Sequence, residues 1–349
     1  VLIIGSTFVS IYLAAFHAPQ PHRLPVAVVG SQRVLDQVEH RLDAGLRDGF
    51  TARGYASRED ARHALLVREV YAAYITTGPT PELLYAGANG TGVTATVTSA
   101  FEAVARSSGH SLKAHDALPA APGDTRGLSV FYAAFGVVLA GFLFGSLTYQ
   151  IAPRLEYRLR LLSLVTFAVA AGIVVALIAG EVFHALPGPF IGIAGIAALM
   201  AAASGSITMI LLRLCGSAGV SLATIVLLIF GNATSGGILP ADYLPAWLYP
   251  LHAILPVGVG VHAIQGLSYF HNDGLATGIA ILLAWILAST VVLYLRDVWS
   301  TTRIRPADGS PHHHAASGHT PAPYLITSHE GATASDWVMS GRSPGDHRL

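Results

Sequence analysis

Few residues in this sequence combine a reactive type with a spacing that chemistry could use. Gly90-Thr91-Gly92-Val93-Thr94-Ala95 matches the dinucleotide-binding fingerprint, with alanine in the last place. In that chemistry the glycines let the backbone approach a pyrophosphate at a helix N-terminus. The acidic partner expected about twenty residues on is missing, Asp116 being the nearest, so a glycine-rich helix entry is the expected role. His312, His313 and His314, with His319 and His329, are of metal-ligating type. They lie in a Gly-, Ser- and Pro-rich tail without cysteine partners, where a low-complexity segment is the simpler reading. His252, His262 and His271 fall in a proline-rich apolar stretch and are expected to be interfacial side chains with no chemical role. Lys113 is the only lysine and follows Leu112 rather than glycine, so a Walker A phosphate loop is absent. Neither a Gly-x-Ser-x-Gly elbow nor a His-Glu-x-x-His pair occurs. We therefore expect no catalytic residue, no cofactor and no metal, and a chain that is not an enzyme.

The elements that would carry these residues are dominated by apolar sequence. Only 11% of the 349 residues are charged and 52% are hydrophobic, against roughly 25% charged in soluble domains. Mean hydropathy is +0.55. From Leu128 to Leu295 the charged residues are Arg154, Glu156, Arg158, Arg160, Glu181, Arg213, Asp242 and Asp273. The lipid bilayer is the implied environment. Formal net charge is +0, so no nucleic-acid partner is expected. Cys215 is the sole cysteine, which rules out an intrachain disulfide and leaves any soluble part to be held by packing alone.

The fold class expected is an α-helical polytopic membrane protein, with about six transmembrane helices and a small α/β domain inserted after the first. Residues 1–16 form the first helix, a signal peptide being the alternative. In the domain, residues 17–127, Leu24 to Val29 reads as a buried strand and Val34, Leu35, Val38, Leu42 and Leu46 as a helix face. Ser57-Arg58-Glu59-Asp60 resembles a capping box opening a second helix. Val70 to Thr76, Leu83 to Ala86 and Ser111 to Asp116 read as strands, with a helix carrying Val93, Val97, Phe101 and Val104 between the last two. Further membrane helices are placed near 128–150, 161–180, 190–212, 217–232 and 275–295, inside a transmembrane domain spanning 128–295. Between the last two lies 232–273, too rich in proline (Pro240, Pro245, Pro250, Pro256) for one straight helix and too apolar for an ordinary loop. Short broken helices dipping into the outer leaflet would satisfy both facts. Residues 296–349 are expected to be a cytoplasmic tail, without order from about Pro306.

Basic residues set the orientation. Arg154, Arg158, Arg160, Arg213, Arg296, Arg303 and Arg305 fall on one side of this scheme, while 181–189 and 232–273 carry no Lys or Arg. The arginine side is then cytoplasmic, and residues 17–127 are extracytoplasmic in a multi-pass protein of the cell membrane. Gly141-x-x-x-Gly145 and Gly274-x-x-x-Gly278 permit close helix contact, expected within one subunit rather than at a dimer seam.

One stretch is more specific. Gly231-Asn232-Ala233-Thr234-Ser235-Gly236-Gly237-Ile238-Leu239-Pro240, then Leu244-Pro245-Ala246-Trp247-Leu248, then Leu255-Pro256, resembles the segment between the last two helices of ABC-2 type transporter permeases. The layout of one helix, an extracytoplasmic domain and five helices is similar too. It looks closest to the phage-infection-protein-like branch, with a Val-rich first strand and a Ser-x-x-x-Ala helix, here Ser57 to Ala61. The resemblance implies an export permease subunit that moves a hydrophobic, lipidic or polymeric substrate, pairs with a separate ABC ATPase and forms a homodimer. An outer gate would lie at 232–256, on Asn232, Gly236, Gly237, Pro240, Pro245, Trp247 and Pro256. The alternative is a non-transporting membrane anchor whose outer domain binds a surface or envelope partner.

Overall fold

A computed structural model describes residues 2–153 and 155–302. Two kinds of architecture meet in it: a five-stranded sheet with helices on both faces, and a bundle of long apolar helices.

The helix α1 (Leu2–Phe16) leads into the sheet domain. There, β1 (Leu24–Val29), α2 (Gln32–Gly45), β2 (Phe50–Tyr55), α3 (Arg58–Leu66), β3 (Ala72–Ile75), β4 (Glu82–Tyr85), α4 (Thr91–Ser107) and β5 (Lys113–Asp116) follow in order. The sheet order is β2-β1-β3-β4-β5, with only the β3–β4 pair antiparallel. Central β1 is apolar almost throughout because helices cover both its faces. Ala27, for example, pairs with Arg53 on one side and Ala73 on the other. The capping box forms at α3: Ser57 Oγ accepts from the Asp60 backbone N–H at 3.1 Å and donates to its carboxylate at 2.7 Å. β2 was not foreseen. Its sequence, FTARGY, carries arginine and glycine and lies half-exposed at the edge, so it has little apolar pattern to read.

Both faces of this sheet are finished by residues from outside 17–127. On the α2/α4 face, Leu24, Val26, Val28, Leu42, Tyr74 and Phe101 share a core with Tyr243. On the α3 face, Ala27, Val29, Leu65, Ala73 and Leu84 share one with Phe270, which is 1% exposed. Burying one such ring is worth about 2–3 kcal/mol. Packing closes the domain, and 239–270 supplies part of that core.

The bundle comprises α5 (Ser129–Ile151), α6 (Tyr157–Ala176), α7 (Phe190–Cys215), α8 (Ala218–Ala223), α9 (Gly231–Ala233), α10 (Tyr249–Ile254), α11 (Pro256–Ser268) and α12 (Leu275–Thr302). A π-helical turn, Leu177–Val182, prolongs α6, and another, Thr224–Phe230, joins α8 to α9 in one apolar rod. Among the described residues, four helices are long and apolar enough to cross a membrane: Ser129–Ile151, Tyr157–Val182, Phe190–Cys215 and Leu275–Val298. This is a mostly helical membrane protein with a small α/β domain. Two further helices of the expected six, Leu2–Phe16 and Ala218–Ala233, are shorter; sixteen residues extend only about 24 Å against a hydrocarbon core of about 30 Å.

α7 runs through the centre, buried on every side from Met200 to Ile210. A Cβ on Gly141 of α5 would lie 2.7 Å from the Ala201 carbonyl of α7, and one on Gly145 2.7 Å from that of Gly205. Gly278 of α12 meets Ala263 and Val259 of α11 in the same way. The small-residue spacings are thus seams within one chain, as expected. α12 continues past the expected boundary at 295, through Thr302, where Asp297 receives Arg160 at 3.2 Å and Arg213 at 3.0 Å. The starts of α6 and the ends of α7 and α12 therefore meet at one end of the bundle. Arg154 and residues 303–349, including Arg303, Arg305 and the histidine-rich tail, lie outside the described residues.

Candidate functional site

At the other end of α12 the α/β domain rests on the proline-rich segment, and polar side chains from both converge on a cavity of about 480 Å³. Arg68 ties the two together. It follows α3 in the left-handed backbone region (φ 59°), which costs a non-glycine residue roughly 1–2 kcal/mol. Its side chain, 7% exposed, explains the persistence of that conformation. Nε donates to Asp273 Oδ2 at 3.0 Å, Nη1 to Gln265 Oε1 at 2.8 Å and Nη2 to the His262 carbonyl at 3.2 Å. The guanidinium carbon also lies 4.6 Å from the centre of the Phe270 ring. Burial lowers its pKa, while Tyr71, Asp273 and Asp242 hold it up.

The rest of the wall is built around this anchor. Tyr71 donates to Asp242 Oδ2 at 2.8 Å, and burial, reinforced by that carboxylate, pushes the phenol well above its ordinary value, so it remains a neutral donor. His262 Nε2 lies 3.1 Å from Asp273 Oδ2, and His252 Nδ1 3.1 Å from the Thr234 carbonyl. Both acceptors lack a proton, so each ring carries its hydrogen on that nitrogen and presents a lone pair on the other. Burial pulls His252 down, and it pulls His262 down to about 4, helped by Arg68 and opposed by Asp273. Both imidazoles are neutral at pH 7. The two rings meet edge to face at 5.9 Å.

Of the residues expected to form a gate, Gly236, Gly237 and Pro240 line this cavity. Gly236 (φ 74°) turns the chain beneath the His252 ring, where a Cβ would sit 2.8 Å from Cε1, and Gly237 abuts Phe131 of α5. Asn232 lies behind, 4% exposed, and its side-chain oxygen has no hydrogen-bond partner among the described residues. Pro245 opens the turn that accepts from Leu248 and Tyr249, and Pro256 is the buried first residue of α11. Trp247 is 58% exposed and takes no part.

Sequence reasoning missed Arg68, Tyr71, Asp242, His252, His262 and Asp273. His252 and His262, expected to be interfacial side chains, line the cavity together with Asp242, Asp273 and Arg68. The signal was present: Asp242 and Asp273 sit in an apolar segment without a cation of its own, so their partner had to come from elsewhere. The fingerprint at 90–95 does open a helix after a strand, yet its glycines serve packing. Gly90 meets Gly127 backbone to backbone and Gly92 meets Leu239, while Asp116 accepts from the Gly87 and Leu118 N–H groups. Among the described residues no group of three metal-ligating side chains is placed to hold an ion. No protein-family model, curated protein or solved structure matches this chain.

Proposed function

We propose that this chain is the permease subunit of an ABC-2 type exporter, with a separate ATPase supplying the energy. The observation that carries the reading is the path of 231–274. The chain leaves the apolar rod after Ala233, turns at Gly236-Gly237, and re-enters as two short helices before the last span. Irregular backbone at such depth is tolerated where it is buried or lines a cavity, and this stretch does both. Its Leu-Pro-x-Trp-Leu element and flanking prolines resemble that permease segment.

In this proposal α1 and the rod 218–233 complete six spans. The α/β domain is extracytoplasmic, and the arginine-bearing ends of α6, α7 and α12 are cytoplasmic, where an ATPase would dock. The span Leu275–Val298 separates the Arg68 anchor from the Asp297 cluster by 24 residues, about 36 Å of helix, enough to put them on opposite faces. Substrate would move as the helices repack around 232–256, in a homodimer whose seam is not the Gly141 or Gly278 contact.

The test is transport in vesicles containing the chain and its co-purifying ATPase. Valine at Gly236 must adopt φ 74°, and valine at Gly237 must displace Phe131. The double variant is expected to assemble and to lose at least about tenfold in export, a barrier change of about 1.4 kcal/mol. Unchanged export would remove the gate. Failure of any ATPase to co-purify would favour the membrane-anchor alternative.

A further inference from the structure

We propose that the cavity between the α/β domain and the proline-broken segment binds a protonated primary amine carried on an apolar body. Its charged lining residues are Arg68, Asp242 and Asp273, one more carboxylate than cation. Arg68 is largely committed: each of its three nitrogens already donates within the protein, and its charge is paired with Asp273. Oδ2 of Asp242 is taken by Tyr71 and Oδ2 of Asp273 by Arg68 and His262. No hydrogen bond reaches Oδ1 of either carboxylate from the described residues. His252 Nε2 and His262 Nδ1 add lone pairs, because each ring donates through its other nitrogen. A half-buried wall rich in open acceptors and negative by one charge is matched by an ammonium group, which has three donors and no acceptor. An anion would meet two carboxylates and one guanidinium already paired with Asp273.

The lining also has apolar members. Ile238, Ala253, Val259 and Ile281 are among them, the last from the first turns of the α12 span. An amine head against Asp242 and Asp273 would therefore direct a hydrocarbon body toward the bundle. The volume of about 480 Å³ falls within the usual range for small-molecule sites, about 300–1,000 Å³. Treating the bound amine as cargo rests on the exporter proposal; binding itself does not.

The experiment is calorimetric titration of the purified full chain in nanodiscs at pH 7.5, without ATPase, using hexylamine, hexanol and hexanoate as probes. Hexylamine is expected to bind saturably, with hexanol and hexanoate at least about tenfold weaker. Asp242→Asn keeps an acceptor for Tyr71 and is expected to weaken hexylamine about tenfold or more. Ala253→Phe enlarges an exposed apolar member of the lining without touching a charge and should abolish binding while leaving the thermal unfolding midpoint unchanged. The proposal is overturned if hexylamine gives no saturable heat, if the three probes bind alike, or if both variants bind as the parent does. A chain that binds hexylamine but recruits no ATPase keeps the site and loses the cargo role. One that recruits an ATPase but ignores hexylamine keeps the exporter and loses the site.

Discussion

Arg68 carries more of the structure than its place in the sequence announces. It leaves α3 in a left-handed conformation, reaches across to a segment almost two hundred residues away, and satisfies three acceptors and an aromatic face there. Arg68→Met would leave Asp273 to His262 alone. Removing one member of a buried pair costs about 3–5 kcal/mol, and with Asp273 36% exposed the lower end, about 3 kcal/mol, is expected in the unfolding free energy. Chemical denaturation followed by Trp fluorescence measures it. His262 contributes a pH response, facing Arg68 just after α3, His252 on α10, and Asp273 on the turn before α12. Its folded pKa of about 4 lies below the ordinary 6.5, so the unfolded chain takes up the proton first. The stabilisation is complete above pH 6.5 and is lost as pH falls toward 4. Thermal unfolding at pH 7.5 and 4.5 should show a drop that His262→Asn makes smaller. Nothing in the periodicity of the sequence marks these residues, because a contact between Arg68 and Asp273 is a matter of tertiary register.

At the scale of elements the sequence was more legible. Strand β1, the capping box of α3, the apolar face of α4 and the long helices all stand where residue pattern places them, because each is specified by neighbours a few positions away. Edge strand β2 escaped for the converse reason, its order coming from register with β1 rather than from its own residues. The rod 218–233 reads as a span by composition and is shorter than the four long helices. Helix seams give a sharp test. Gly136 and Gly141 lie on the same helix, yet a Cβ on Gly136 meets nothing within 4 Å, whereas one on Gly141 strikes backbone of α7. Gly141→Val is expected to destabilise the bundle by about 2 kcal/mol and Gly136→Val to be near neutral. Melting of the two variants in identical micelles compares them.

For the whole molecule, the boundary drawn at residue 127 is a boundary in composition, not in packing. Tyr243 and Phe270 close the two faces of the sheet, so the α/β domain and the proline-rich segment form one body with the cavity between them. In a permease this would let movement of 232–274 reach the domain, and the domain hold the gate. All of it depends on the domain and the arginine-bearing helix ends facing opposite sides of a bilayer. Native Cys215 is exposed at the end of α7, beside the Arg213–Asp297 pair, and Glu102 is exposed on α4. Intact cells expressing Glu102→Cys should therefore be treated with a membrane-impermeant maleimide and the labelled position identified by peptide mass. Modification at 102 with Cys215 protected until the cells are opened is the result we expect. Labelling of Cys215 with position 102 protected would contradict the orientation, and labelling of both in intact cells would contradict the span between them.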